Sequence, residues 1–214
     1  MKNVIFIAPP AAGKGTQSEL LTTNYNYEHI STGDLLRNKQ NDGSDLGNLI
    51  KEKLKTGKLI DDEIVTEILK EKLVNIKGNF ILDGYPRNIK QASILSDLLS
   101  ELDIKDIAVI YLDVDEITAM HRALGRITCP KCKRTYNKYN QLTKPKNIGV
   151  CDDCNVELVG RSDDNEETFK IRFSEYITNT KPLLDYYKDK NLLYVMENKI
   201  DPNDLFEDIK EVIL

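Results

Sequence analysis

The chain has 214 residues, of which 40% are hydrophobic and 30% charged, enough to bury a sizeable core in one large or two small domains. Thirty Lys and Arg stand against 35 Asp and Glu, a net charge of −5, while Trp is absent and aromatics make up 7%. That balance argues against a general nucleic-acid binder or a stacking platform for single strands, and no apolar stretch approaches membrane-spanning length.

The first element is the apolar run Val4-Ile5-Phe6-Ile7, read as part of a strand over Asn3–Ala8. It starts almost at Met1 and is not a signal-peptide apolar region, so a cytoplasmic protein is expected. The strand empties into Ala8-Pro9-Pro10-Ala11-Ala12-Gly13-Lys14-Gly15-Thr16, with a helix over Gly13–Thr22. Such a junction cradles phosphate, because first-turn N–H groups and the helix dipole supply partial positive charge. Lys14 adds a mobile full charge, and the Thr16 hydroxyl can reach a magnesium ion or a phosphate. The loop departs from G-x-x-x-x-G-K-[ST] in two places: Ala8 replaces the first Gly, and Gly15 separates Lys14 from Thr16. A tight turn with a chance lysine would match the loop alone, but not the strand before it and the amphipathic helix after it. The pattern selects a nucleoside triphosphate as ligand.

A short strand over Glu28–Ile30 leads into Ser31-Thr32-Gly33-Asp34-Leu35-Leu36-Arg37, with a helix over Gly33–Asn38. Either Ser31 or Thr32 simply caps that helix, or a hydroxyl and Arg37 face the phosphate of an acceptor; this segment alone leaves both open. Helices over Ser44–Thr56 and Asp61–Asn75 precede a strand over Asn79–Leu82, which runs into Asp83-Gly84-Tyr85-Pro86-Arg87. An Asp at the carboxyl end of a buried strand suits magnesium handling through water, with Arg87 placed for a phosphate. The plainer alternative is a helix cap at Asp83 and an ordinary turn. Further along come a helix over Ile89–Leu99, a strand over Ile107–Leu112, helices over Asp115–Leu124 and Asn165–Lys188, a strand over Leu192–Met196 and a helix over Pro202–Ile213. Asp201 as N-cap and Pro202 in the first turn suit that last start. Strands alternating with helices imply an α/β fold with a parallel sheet covered on both faces. Neither His29 nor His121 has a metal-ligand companion at useful spacing, so both are read as packing or surface residues.

The stretch from about residue 126 to 164 breaks the rhythm. It is rich in Lys, Asn, Pro and Cys, and only Thr135 and Tyr136 suggest a strand. All four cysteines lie here, as Cys129-x-x-Cys132 and Cys151-x-x-Cys154. Each pair forms a knuckle offering two sulfurs to one metal, so a tetrathiolate zinc site is expected rather than disulfides. The zinc would substitute for an apolar core in a small inserted unit.

Taken together, APPAAGKGTQ, STGDLLR, TGKLIDDE, LDGYPRNIKQA, LGR, the cysteine pairs, GRSDDNEET and IRFSEY occur in the order found in adenylate kinases. The chain resembles that family along nearly its whole length, and in particular bacterial long-form enzymes with a zinc-bearing lid. The resemblance implies a single P-loop kinase domain over residues 1–214: a parallel five-stranded sheet covered by helices, a helical AMP-binding insertion over 31–60 and a zinc-bearing lid over 126–163. It implies reversible transfer from Mg-ATP to AMP, giving two ADP. Ala11, Ala12, Gly13, Lys14, Gly15 and Thr16 would wrap the ATP phosphates. Arg122 and Arg126 would hold ATP, with Thr135 and Tyr136 nearby and the Ile200 backbone at the adenine. Thr32, Arg37, Lys58, Leu59, Ile60, Gly84, Tyr85, Pro86, Arg87 and Gln91 would line the AMP site, with Gln91 reading the adenine edge. Arg161 and Arg172 would clamp the phosphoryl group in transit, and Asp163 and Asp164 would order those arginines or the lid. Relatives usually carry Gly at the positions of Ala8 and Ala11. If Ala11 takes a positive φ, it costs about 1 kcal/mol relative to Gly.

Phosphoryl transfer needs in-line positioning and charge neutralisation more than covalent chemistry. Lys14, Arg37, Arg87, Arg126, Arg161 and Arg172 would bring that charge together from separate loops. The expected partners are ATP, AMP and ADP, without nucleic acid or membrane, and the chain is expected to be a monomer. A kinase for UMP or GMP is the nearest alternative. A zinc-ribbon nucleic-acid-binding NTPase is a more distant one, disfavoured by the acidic balance and the second phosphate site.

Overall fold

The computed structural model describes residues 1–56, 60–76 and 78–214. Five parallel strands form the central sheet in the order β2-β3-β1-β4-β7: β1 (Asn3–Ile7), β2 (Glu28–Ser31), β3 (Phe80–Asp83), β4 (Ile107–Asp113) and β7 (Leu193–Glu197). Strand β1 lies centrally, with Phe6 in register with Asp83 of β3 and with Ile110 of β4.

Period-two alternation explains why the sheet is covered twice. Ile5, Ile7, Ile30, Leu82, Val109 and Tyr111 enter one apolar cluster, completed by Leu69, Leu95 and Leu183 from the helices. Val4, Phe6, Ile81, Ala108, Ile110 and Leu112 enter the other, with Leu21, Ala119, Phe169 and Ile209. Each such large aliphatic or aromatic side chain contributes roughly 1.5–3 kcal/mol by leaving water. One face thus carries α2 (Thr32–Lys39), α3 (Asp45–Thr56), α4 (Asp62–Val74), α5 (Ile89–Glu101) and α8 (Leu183–Asp189). The other carries α1 (Lys14–Tyr25), α6 (Glu116–Gly125) and α9 (Pro202–Ile213). Helix α7 (Glu166–Glu175) lies between them, with Phe173 packed against both clusters.

Helix starts follow local chemistry. Ser31 caps α2, accepting from the Asp34 N–H; Asp115 caps α6; Asn165 caps α7; and Asp201 caps α9 ahead of Pro202. The cap of α5 is Asn88, so Asp83 is not a helix cap and its carboxylate stays available.

The continuous helix expected over Asn165–Lys188 is corrected. Helix α7 stops at Glu175, a π-helical turn occupies Tyr176–Thr180, and α8 begins after Pro182. Pro182 has no N–H to donate and crowds the preceding turn. The chain widens instead, with Lys181 N–H reaching back to the Tyr176 carbonyl at 2.8 Å. The widened turn lets the Thr180 hydroxyl donate to the Arg87 carbonyl at 2.8 Å.

Residues 126–159 form the small unit. Strands β5 (Arg126–Thr128) and β6 (Thr135–Asn137) pair antiparallel, the first of them not foreseen from sequence. Its core is Cys129, Tyr136, Cys151 and Leu158, backed by Ile127, Cys154 and Val156. No helix among the described residues is long and apolar enough to cross a membrane.

Candidate active site

The carboxyl ends of β1, β2 and β3 open onto a cleft of about 460 Å³. At its floor, Gly13 takes φ 107° as the N-cap of α1, a backbone that only glycine adopts readily. The first-turn N–H groups of α1 have few intrahelical partners and carry the positive end of its dipole. Ala11 takes φ 58°, the left-handed conformation that a residue with a Cβ adopts at a cost of about 1 kcal/mol relative to Gly. Ala11, Ala12, Gly13, Lys14, Gly15 and Thr16 all line the cleft, as do Arg122, Arg126, Thr135, Tyr136 and Ile200. Arg122 ties the rim together: one guanidinium nitrogen donates to the Ala12 carbonyl at 3.1 Å, another to Asn198 Oδ1 at 2.8 Å.

Lys14 Nζ lies 3.9 Å from Asp83 Oδ1 at the end of β3. Burial lowers the Lys14 pKa and Asp83 raises it; Arg87, Arg172 and Arg126 lower it further. Burial would raise Asp83, but Lys14, His29 and Arg87 outweigh this and hold its carboxyl down at about 2. His29, read from sequence as a packing or surface residue, lies beside this pair. On β2, one strand over, its Nε2 stands 3.5 Å from Asp83 Oδ2, and it lines the cleft. It stands two residues before Ser31, which is in register with Asp83, and only the pairing of β2 with β3 brings it there.

A second, smaller cavity of about 60 Å³ opens beside the first. Gly33, Arg37, Gly84, Arg87 and Arg172 line both. Thr32, Ile60, Gln91 and Asp163 line only the smaller, and Pro86 and Arg161 only the larger. Gly84 has φ 86°, and a Cβ there would meet Thr32 Oγ1 at 2.7 Å. Tyr85 requires a correction: its side chain is fully buried, bonds Thr66 through the hydroxyl at 3.0 Å, and lines neither cavity. Lys58 and Leu59 lie outside the described residues.

Three of the site arginines are held by carboxylates. Asp164, 4% exposed at its side chain, takes Arg126 in a two-pronged contact that includes Nε at 2.7 Å, and Asp163 takes Arg172 at 3.0 Å. Arg37 pairs with Asp34 at 2.6 Å. Among the described residues Arg87 and Arg161 have no ion-pair partner. Burial, joined by neighbouring arginines, pulls both down to about 10. An arginine whose charge is disfavoured this far by its surroundings gains from an arriving anion.

The four cysteine sulfurs lie within 4.8 Å of one another and form no disulfide. Both knuckles fold alike. Lys133 (φ 66°) donates to the Cys129 carbonyl and Asn155 (φ 53°) to the Cys151 carbonyl, each at 3.0 Å. The Cys132 and Cys151 sulfurs are 3.7 Å apart, close to the ~3.8 Å edge of a tetrahedron with 2.3 Å metal–sulfur bonds. The cluster therefore fits a tetrahedral metal ion.

A phosphate-cradling loop joined to a second arginine-lined cavity through shared residues defines a P-loop phosphotransferase that brings two phosphorylated substrates together. A family model described as adenylate kinase matches residues 6–192. The chain is 38% identical over 213 residues to an adenylate kinase of Clostridium tetani, covering 99% of this chain and 98% of that one. It is 41% identical over 211 residues to one of Syntrophomonas wolfei, covering 98% and 97%. With one of Archaeoglobus fulgidus it shares 40% identity over 213 residues, covering 99% and 97%. The chain belongs to the adenylate kinase family.

Proposed function

We propose that this protein transfers the γ-phosphoryl group of ATP reversibly to AMP, giving two ADP, with ATP in the larger cleft and AMP in the smaller. The observation that carries this reading is a pair of buried arginines without an ion-pair partner among the described residues: Arg87, which lines both cavities, and Arg161, which lines the larger cleft with Lys14.

An AMP phosphate oxygen attacks the γ-phosphorus as the bond to the β–γ bridging oxygen breaks, and ADP leaves. Lys14 and the α1 amide groups stabilise charge on the β- and γ-phosphates. Arg87 and Arg161 neutralise the group in transit, and Arg37 holds the acceptor phosphate. Asp164 and Asp163 orient Arg126 and Arg172 rather than touch the substrate. Thr16 and, through water, Asp83 would hold magnesium, which would supply further neutralisation of phosphate charge.

Residues 31–60 serve as the AMP-binding segment and 126–163 as a lid that closes over ATP and excludes water. The matched knuckles and the 3.7 Å sulfur spacing support zinc, and a filled tetrathiolate shell makes it structural. The protein acts as a cytoplasmic monomer on free nucleotides.

The test is ADP production from ATP with AMP, UMP or GMP as acceptor, with and without RNA. Turnover with AMP alone supports the reading. Preference for another monophosphate moves the protein to a different acceptor, and turnover that requires RNA overturns it.

A further inference from the structure

Gln91 is 2% exposed and lines the smaller cavity. Its Oε1 accepts from the Arg87 backbone N–H at 2.7 Å, and its Nε2 donates to Asp62 Oδ1 at 2.7 Å. Neither partner can reverse its role, because a backbone N–H only donates and a carboxylate only accepts. Turning the carboxamide over would set its NH₂ against an N–H and its oxygen against a carboxylate. The amide therefore has one sense, settled by the chemistry of its partners and not by atom assignment.

Asp62 is itself held in place. It is the first residue of α4, and Asn88 Nδ2 donates to the same carboxylate oxygen at 3.1 Å. Asn88 cannot turn over either, since its Oδ1 accepts from the Gln91 backbone N–H at 2.8 Å as the cap of α5. Lys90 Nζ stands 3.9 Å from the other oxygen of Asp62. The network thus joins the start of α4 to the start of α5 across the cavity wall.

A carboxamide has two hydrogens and two oxygen lone pairs, so one N–H and one lone pair of Gln91 remain for a ligand. Adenine offers an amino donor at C6 beside an acceptor at N1. A 6-oxopurine offers the reverse, an acceptor at C6 beside a donor at N1. With ribose and phosphate anchored, a carboxamide free to turn over would suit both bases, whereas a locked one suits only one of them.

We propose that Asp62 is the positioning residue that makes the monophosphate site select adenine over 6-oxopurines, by locking the sense of the Gln91 carboxamide. This rests on the assignment of the smaller cavity to AMP. Asp62 touches no substrate; it acts through Gln91. The Arg87 N–H provides a second lock, so removing the carboxylate weakens selectivity without abolishing it.

The experiment compares kcat/KM for AMP and for inosine monophosphate, which differs from AMP by carrying O6 and N1–H. It uses the full-length protein and the D62N and D62S variants. A Ser at position 62 is too short to reach Gln91, whereas an Asn can set its oxygen where Asn88 and Gln91 both donate and so keep the lock. The AMP-to-inosine-monophosphate ratio is expected to fall at least about tenfold in D62S, chiefly through KM, with the KM for ATP unchanged, and to be kept in D62N. In a Q91A background, D62S should leave the ratio unaltered, a result that general damage to the fold would not give. Unaltered selectivity in folded D62S, a loss in D62N equal to that in D62S, or a D62S effect that persists without Gln91, overturns the role of Asp62. Failure of the wild-type protein to phosphorylate AMP overturns the site assignment as well.

Discussion

Lys14, the first residue of α1, faces Asp83, the last residue of β3, with 3.9 Å between ammonium nitrogen and carboxylate oxygen. The loop leading into α1 follows β1, the parallel neighbour of β3. The pair needs no ligand to form, so the carboxylate holds the lysine at the mouth of the cleft before nucleotide arrives. Incoming phosphates then compete with Asp83 for a cation that burial and three arginines already disfavour.

Replacing Lys14 by Met should lower kcat at least about 10²-fold, because the lost charge acts where negative charge is redistributed during transfer. The far-ultraviolet circular dichroism should be unchanged. Normal steady-state kinetics in a folded variant would remove Lys14 from the mechanism.

Gln91→Ala should raise the KM for AMP by about 10- to 100-fold, the loss expected of one hydrogen-bonding group with unpaired partners left behind. The KM for ATP should change little, since Gln91 lines only the smaller cavity. Isothermal titration with each nucleotide separates the two; an unaffected AMP affinity would dismiss Gln91 as the base reader.

Metal content should be about one zinc per chain by atomic spectroscopy, given four thiolates in one cluster. Cys151→Ser should lower the melting temperature, because only Cys129, Tyr136, Cys151 and Leu158 are buried in that unit's core. Part of the activity should survive at low temperature, as no proposed phosphate ligand is a cysteine. A metal-free wild-type protein of undiminished stability would count against zinc.

Tyr27 provides a pH test away from the site. Its ring is buried, its hydroxyl donates to the Lys2 carbonyl at 2.7 Å, and burial pushes its pKa up from 10 to about 12. A raised folded-state value means that its stabilisation is complete below pH 10 and fades as the pH rises toward 12. Urea unfolding of wild type and Tyr27→Phe should therefore show a constant gap up to about pH 10 that narrows above it. A gap independent of pH would show that the hydroxyl ionises freely in the fold.

Local chemistry made much of this protein legible without coordinates. The strand, loop and helix around Lys14 were readable because short-range backbone needs dictate which residues can stand there: an apolar run, then small residues, then a helix start. The Asp201-Pro202 start of α9 was readable for the same reason, and so were the paired cysteine knuckles, whose spacing sets how two sulfurs can meet one metal. Alternating strands and helices implied a parallel sheet covered twice, and the two apolar clusters follow that alternation residue by residue.

What only the tertiary structure decided were relationships between residues distant in sequence or dependent on packing. His29 reaches Asp83 because β2 is laid beside β3, and no local pattern encodes strand order. Tyr85 turns into the core although its neighbours line the cavities, because the buried space beside Thr66 accepts its ring. The helix after Asn165 opens into a π-helical turn where the demand of Pro182 meets a contact from Thr180 to Arg87. Gln91 lines the smaller cavity, where the family resemblance led it to be expected, but the sense of its amide depends on Asp62, 29 positions away. Sequence periodicity reports which residues are buried and which local turns they permit; the choice of partner across the fold is made only when separate elements pack and every buried donor must find an acceptor.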